Sequence, residues 1–244
     1  MNATTAFARG PFQAGAVVIL EEDEAHHLRV RRLQDGENLR LVDGKGGVAT
    51  ARLAFDRDVV AARVVAATLV PVPPLTEVFI GSGDRDRFLD FIEKAVELGA
   101  TRVVPLITER QRAVATRFQA VHIEKAARRA REAIKQCGAA WVPALAQPVP
   151  IAEALRTAPK AVRLLADPTG GPVPPLSEGD AVVWAVGPEG GFTDAETAAL
   201  RASGFVSVAL GRSTLRFDTA ALAALALTAQ ARISSERLSP KSTT

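Results

Sequence analysis

From residue 75 onward, apolar runs of strand length alternate with stretches of helical periodicity, and few architectures satisfy both patterns at once. The runs AVRLLA (161–166) and AVVWAV (181–186) are almost unbroken in hydrophobicity, as in strands covered on both faces. EVFIGS (77–82) and RVVPLIT (102–108) read the same way, and Val206, Val208 and Leu210 suggest one more strand. Between the first two of these in chain order, Phe88, Phe91, Ile92, Ala95 and Val96 recur at i, i+3, i+4, i+7 and i+8 until Gly99 stops the helix. A basic helix is expected over 118–136 and a closing helix from Thr219 to Ile233. The pattern predicts an α/β domain with a mostly parallel sheet.

Residues 1–70 follow a different rule. AVVIL (16–20), NLRLV (38–42), GVATARLAF (47–55) and VVAARVVAATLV (59–70) are short strands separated by turn residues, which predicts a small all-β domain. Asp43-Gly44-Lys45-Gly46-Gly47 lies between two of them and reads as a hairpin connection; no helix follows, so it is not a dinucleotide fingerprint. Val70-Pro71-Val72-Pro73-Pro74 is a stiff spacer poor in N–H donors. The expected division is therefore 1–70, a linker at 71–75, and 76–244. The adjacent His26 and His27 would point to opposite faces of a strand, so they cannot jointly ligate an ion without a turn.

Composition narrows the classes further. With 48% apolar residues the chain can build real cores. One cysteine excludes an intrachain disulfide, and three histidines with one cysteine offer no zinc set, so no metal is expected. The N-terminus lacks a secretory pattern, and the longest apolar stretch, Ala220–Leu227 continuing to Ile233, is too short and Ala-rich for a membrane span. A cytoplasmic protein is expected. Charge is unevenly spread: Glu109 to Lys135 holds eight Lys or Arg against three acids, whereas 165–244 holds six against eight. Such a belt suits an anionic polymer, although a solvated helix face would also explain it.

Two segments carry the chemistry. In Val186-Gly187-Pro188-Glu189-Gly190-Gly191-Phe192-Thr193-Asp194-Ala195-Glu196, Thr193 and Glu196 form a capping box directly after a glycine-rich turn at a strand end, where ligands bind in α/β sheets. The glycines serve either a tight turn or a close approach of backbone to ligand. No Gly-Lys-Ser/Thr and no GxGxxG follows a strand, which disfavours P-loop and ordinary Rossmann binding. In Leu210-Gly211-Arg212-Ser213-Thr214-Leu215-Arg216-Phe217-Asp218-Thr219-Ala220 a strand end and a glycine turn again lead into a helix, with Asp218 or Thr219 as its cap and Arg216 on the loop.

Together these segments resemble the SPOUT class of methyltransferases, specifically the RsmE family, which methylates N3 of a uridine in 16S ribosomal RNA. The resemblance extends over almost the whole chain: Glu24 to Leu33 (EAHHLRVRRL) and Asp43 to Gly46 are similar to the family's N-terminal PUA-like β-barrel domain, Lys94 to Gly99 to its KATELG segment, Glu109-Arg110 to its strand-end Glu-Arg, and Glu132 to Gly138 to its helix end. It implies a SPOUT domain with a C-terminal trefoil knot, S-adenosyl-L-methionine bound in that knot, a homodimer, and 16S rRNA as partner within the small subunit or its precursor. The cofactor would meet Leu165, Ala166 and Asp167, the loop Gly187, Pro188, Glu189, Gly190 and Gly191, and Leu210, Gly211 and Leu215. RNA would meet Arg29, Arg31 and Arg32 together with Arg110, Arg112, Arg128 and Arg131. For the chemical step, Arg216 is the expected cation beside the developing charge, with Glu189 or Asp218 accepting the proton or orienting that arginine. The chain departs from the family at Gly138-Ala139-Ala140, where an arginine is common, at Ala6-Phe7-Ala8, and at Asp218 in place of glutamate. A SPOUT enzyme for another RNA such as transfer RNA, or a non-catalytic RNA-binding protein, are the competing readings.

Overall fold

The computed structural model describes residues 4–56, 59–111 and 113–238, and its contacts separate residues 1–72 with 131–142 from residues 73–130 with 143–244.

In the first unit, β1 (Thr4–Phe7), β2 (Val17–Ile19), α1 (Glu22–Val30), β3 (Asn38–Val42), β4 (Gly47–Asp56) and β5 (Val59–Leu69) build a five-stranded sheet in the order β1-β3-β4-β5-β2. β1 runs parallel to β3 and the remaining pairs are antiparallel. Through Leu53, β4 alternates buried with more exposed residues, as a strand with one face on a core must. That core gathers Leu39, Leu41, Leu53 and Val60 under Leu28 of α1. Residues 131–142 return to this unit. Lys135 is held between Glu24 and Glu132, the Arg131 guanidinium lies 5.9 Å from the Phe7 ring centroid, and Trp141 Nε1 donates to the carbonyls of Val70 and Pro71.

Two expectations are corrected here. The unit is not all-β, and His26 and His27 lie on helix α1, about 100° apart around its axis. Glu21 caps α1 without a side-chain hydrogen bond, so the usual Ser/Thr/Asp/Asn start signal is missing. The available signal was electrostatic: Glu22, Asp23 and Glu24 in the first turn and Arg29 in the last complement the helix dipole.

The second unit contains β6 (Thr76–Gly81), α2 (Arg85–Glu97), β7 (Arg102–Ile107), most of α3 (Ile123–Cys137), β8 (Ala144–Leu145), β9 (Val149–Pro150), α4 (Ile151–Thr157), β10 (Val162–Gly171), β11 (Val182–Val186), α5 (Asp194–Ala202), β12 (Val206–Val208) and α6 (Phe217–Leu238). Its sheet has the order β12-β10-β11-β6-β7-β8, with β9 also pairing β7, and every pair is parallel. β6 and β11 are buried at every position, which is why 78–80 and 182–186 read as unbroken apolar runs, although β6 also buries the polar Thr76 and Glu77. A proline inside β7 needs explanation, since it cannot donate to a ladder. The Leu106 carbonyl accepts from Ser82 on the β6 side and the Val103 carbonyl from Ala146 on the other. Pro105 therefore faces the side of Val103, where pairing lapses between β8 at Arg102 and Val103 and β9 at Leu106 and Ile107. No donor is missed there.

Helix α6 is anchored by Trp184 of β11, fully buried, whose Nε1 donates to Thr228 Oγ1 at 2.9 Å. It starts at Phe217, two residues before the expected Thr219, so Asp218 sits inside the first turn rather than capping it. The basic helix starts later than expected. Phe118 stacks on Phe88 with centroids 4.1 Å apart, Gln119 is extended, and His122 closes a 3-10 turn by accepting from the Gln119 N–H through Nδ1.

Candidate cofactor cavity and charged surfaces

At the C-terminal ends of β10 and β11 the second unit opens a cavity of about 530 Å³. That volume lies within the range of small-molecule sites, and strand C-termini are where open α/β sheets place them. The expected positions 165–167, 187–191, 210–211 and Leu215 all line it.

Each wall has a local cause. β10 and β12 keep register from Leu164 to Ala166 and resume only at Gly171, so the chain bulges between, and Asp167 and Pro168 line the cavity from that bulge. After β11, residues 188–191 form a β-turn closed by Gly191 N–H onto the Pro188 carbonyl at 2.8 Å. Gly191 alone in that loop has a left-handed backbone, φ +66°, which explains its glycine. Gly187 is crowded, since an added Cβ would lie 3.1 Å from Gly191 Cα. Gly190 has neither constraint: its added Cβ would meet only Arg110 carbons at 3.5 and 3.6 Å, and at Gly211 it would meet nothing within 4 Å. Packing does not require glycine at these two cavity-lining positions.

Sequence reasoning missed a polar cluster on this wall. Asp194, Thr197 and Arg201 share one face of α5 at i, i+3 and i+7, a spacing that could have revealed them. Arg201 Nη2 meets Asp167 Oδ2 at 2.8 Å and its Nε and Nη2 both reach Ser207 Oγ at 3.2 Å. Burial pushes the Asp167 carboxyl up, but hydrogen bonds from the Thr169 backbone and hydroxyl, Ser207 and Arg201 outweigh it and hold the group below the usual carboxylate range. The capping box at Thr193 and Glu196 is present, and Glu196 also accepts from the Glu109 N–H at 2.8 Å.

The three expected catalytic residues are placed differently. Glu189 accepts from the Asp84 N–H and from Gln111 Nε2, each at 2.9 Å, so both oxygens already tie the turn to the ends of neighbouring strands. Gly83 leaves room for this, because its added Cβ would stand 2.7 Å from Glu189 Oε2 and 2.8 Å from the Phe217 ring. Asp218 Oδ1 is buried with no hydrogen-bond partner. Arg216 is exposed between Leu215 and Phe217, which both line the cavity.

The expected RNA cations also diverge. Arg110 donates through Nη1 to the Gly190 carbonyl, making it a brace for the cavity turn. Arg29, Arg31, Arg32, Arg128 and Arg131 are exposed; Arg112 lies outside the described residues. Within the basic belt, Arg129 pairs with Asp90 and Lys135 with Glu24 and Glu132, which removes two positive charges from the surface available to a ligand. Gly138 has no arginine after it, yet its carbonyl accepts from Arg40 Nη2 at 2.9 Å, so a guanidinium stands at that helix end. Among the described residues no group of three or more His, Cys, Asp or Glu side chains could hold a metal ion, and no helix is long and apolar enough to cross a membrane.

Two family models match the chain: an RNA methyltransferase PUA domain over residues 20–58 and an RNA methyltransferase domain over residues 72–229. A protein named ribosomal RNA small subunit methyltransferase E from Synechocystis is 33% identical over 223 residues, 86% of this chain and 72% of that protein. One of the same name from Aquifex aeolicus is 30% identical over 223 residues, 87% and 94% of the two chains. Among solved structures, a ribosomal RNA small subunit methyltransferase E from Neisseria gonorrhoeae bound to S-adenosyl methionine matches with a TM-score of 0.84 at 30% identity, covering 94% of this chain and 98% of the other. A PUA-like domain joined to an α/β methyltransferase domain with a parallel sheet is the fold class that the resemblance implied.

Proposed function

The chain belongs to the ribosomal RNA small subunit methyltransferase E family, and from that premise we propose that it methylates N3 of a uridine in 16S ribosomal RNA with S-adenosyl-L-methionine. The observation that carries this reading is the cavity at the strand ends, where Gly190 and Gly211 leave space that a Cβ would fill and that no protein atom claims. A ligand held by main chain needs such positions. Asp167 and Arg201 give one wall a polar edge, and the carbons of Leu165, Leu210 and Leu215 supply apolar contact. S-adenosyl-L-methionine supplies a methyl group made electrophilic by a positive sulfur.

The chain's own contribution is to favour the deprotonated base. Loss of the N3 proton spreads negative charge over the two flanking carbonyl oxygens, and a fixed cation there lowers the barrier. Arg216 is exposed beside the cavity and fits that role. Asp218 is the stronger candidate for accepting the proton or orienting Arg216, because one of its oxygens lacks a partner while both of Glu189 are engaged. Glu189 then acts as a positioning residue for the glycine turn.

A homodimer belongs to the same proposal, as do the trefoil knot that the resemblance implies and a cytoplasmic location. Leu227 and Ile233 are exposed apolar residues of α6, and a second copy would cover them. The test is incubation with S-adenosyl-L-methionine and small subunits or 16S rRNA from cells lacking the gene, followed by mass mapping. N3-methyluridine at a single site is expected. Methylation of transfer RNA alone would support the other enzymatic reading, and absence of cofactor binding would support the non-catalytic one.

A further inference from the structure

Three acids, Asp167, Glu189 and Asp194, line the proposed cofactor cavity against a single cation, Arg201. The mechanism above does not use that arginine. Its setting is specific. Nε and Nη2 both reach Ser207 Oγ of β12 at 3.2 Å, and Nη2 also meets Asp167 Oδ2 of β10 at 2.8 Å. Asp167 is fixed in turn, because its Oδ1 accepts from the Thr169 N–H at 2.9 Å and from the Thr169 hydroxyl at 2.8 Å. These hydrogen bonds keep the Asp167 carboxyl below the usual carboxylate range, so the ion pair persists at neutral pH.

The guanidinium is thus held along one edge. Its Nη1 has no hydrogen-bond partner among the described residues, and the side chain is 52% exposed where it lines the cavity. A planar fork already oriented by two residues loses little freedom when an acceptor meets its remaining donors. The other end of α5 does not suit an anion. Glu196 Oε2 already accepts from the Thr193 N–H, and Asp194 adds a second acid to the first turn. Arg201 lies seven residues further, in the last turn, roughly 10 Å along the axis at 1.5 Å per residue. The helix therefore presents an acidic start and a basic end to one cavity.

S-adenosyl-L-methionine carries a positive sulfonium, a positive α-ammonium and one carboxylate. The carboxylate needs a cation, and the lining offers one. We propose that Arg201 binds the α-carboxylate of S-adenosyl-L-methionine through Nη1, with Asp167 and Ser207 as positioning residues that hold the guanidinium. The proposal rests on the reading that this cavity takes that cofactor; it adds the residue that recognises the amino-acid end.

The test is a cycle of two proteins and two ligands, read by calorimetry on the full-length chain. Decarboxylated S-adenosylmethionine keeps the adenosine, sulfonium and amine but lacks the carboxylate. Arg201→Gln should weaken S-adenosyl-L-methionine about 10-fold, the low end for a charge-assisted contact because the arginine is half exposed. The decarboxylated ligand should bind wild type and variant alike, so the losses from the two deletions do not add. Arg201→Lys should recover part of the affinity, since it keeps the charge without the fork. Asp167→Asn should weaken S-adenosyl-L-methionine more than the decarboxylated ligand, though less than Arg201→Gln does. An equal loss for both ligands in Arg201→Gln would make Arg201 a structural part of the wall and overturn the proposal. Unchanged affinity for both would overturn it as well, while leaving the cofactor reading intact. Failure of the wild-type protein to bind either ligand would overturn the cofactor reading and this assignment together.

Discussion

Replacing Gly190 by alanine adds one methyl group to the wall of the proposed cofactor cavity, and the neighbouring Gly191 provides the control. At Gly190 the added carbon would stand 3.5 and 3.6 Å from Arg110 carbons, ordinary van der Waals contact, and φ lies outside the left-handed region. The fold should therefore be unharmed, or stabilised by about 0.4 to 1 kcal/mol through the stiffer unfolded chain. At Gly191, with φ +66°, alanine should cost about 1 to 2 kcal/mol. The order reverses for the ligand. If main chain at Gly190 touches S-adenosyl-L-methionine, the extra methyl overpacks the bound state by about 1 to 3 kcal/mol. That is a loss of roughly 5-fold to 150-fold in affinity, at about 1.4 kcal/mol per decade. Gly190→Val, larger still, should abolish binding in a folded protein. Urea titration gives the stability and calorimetry with S-adenosyl-L-methionine gives the affinity. Wild-type affinity in Gly190→Val would refute the placement of the cofactor against this turn, and a Gly190→Ala variant as destabilised as Gly191→Ala would refute the packing argument.

Arg216→Ala should lower the single-turnover methylation rate about 100-fold to 1,000-fold, as for other preorganised charge stabilisers, with cofactor affinity nearly unchanged; a normal rate at saturating RNA would make Arg216 a binding residue. Asp218→Asn should depress the same rate, whereas Glu189→Gln should chiefly lower the melting temperature, because it weakens the acceptor shared by Asp84 and Gln111; the opposite pattern would exchange their roles. Burial pushes the Glu77 carboxyl up, with Arg102 pulling it partly back. The folded protein then holds this proton more tightly than the unfolded chain, so its contribution to stability is full below the ordinary glutamate value and declines as pH rises through the raised one. Glu77→Gln should flatten that decline in denaturation curves, and superimposable curves would contradict the burial argument. Leu227→Glu should shift sedimentation from dimer to monomer; a monomeric wild-type protein would remove the proposed interface.

Local physics made much of the chain legible from sequence. Strand burial repeats every residue or every second residue and helix burial every three or four, so short windows revealed β6, β11, β4 and α2. The capping box needs only Thr193 and Glu196, three positions apart. Helix α1 escaped because the same windows hold few apolar residues and no capping side chain. What tertiary structure decided are encounters between distant residues: Arg201 with Asp167 across 34 positions, Arg110 with Gly190 across 80, and the Asp84 N–H with Glu189 across 105. It also grouped residues 131–142 with the N-terminal unit. Such contacts contribute about 1 kcal/mol each, and they form only after the core has closed the loops between them. No local pattern encodes them, so the sequence located the glycine turns, while the folded chain decided which glycine is free for a ligand and which carboxylate is already engaged.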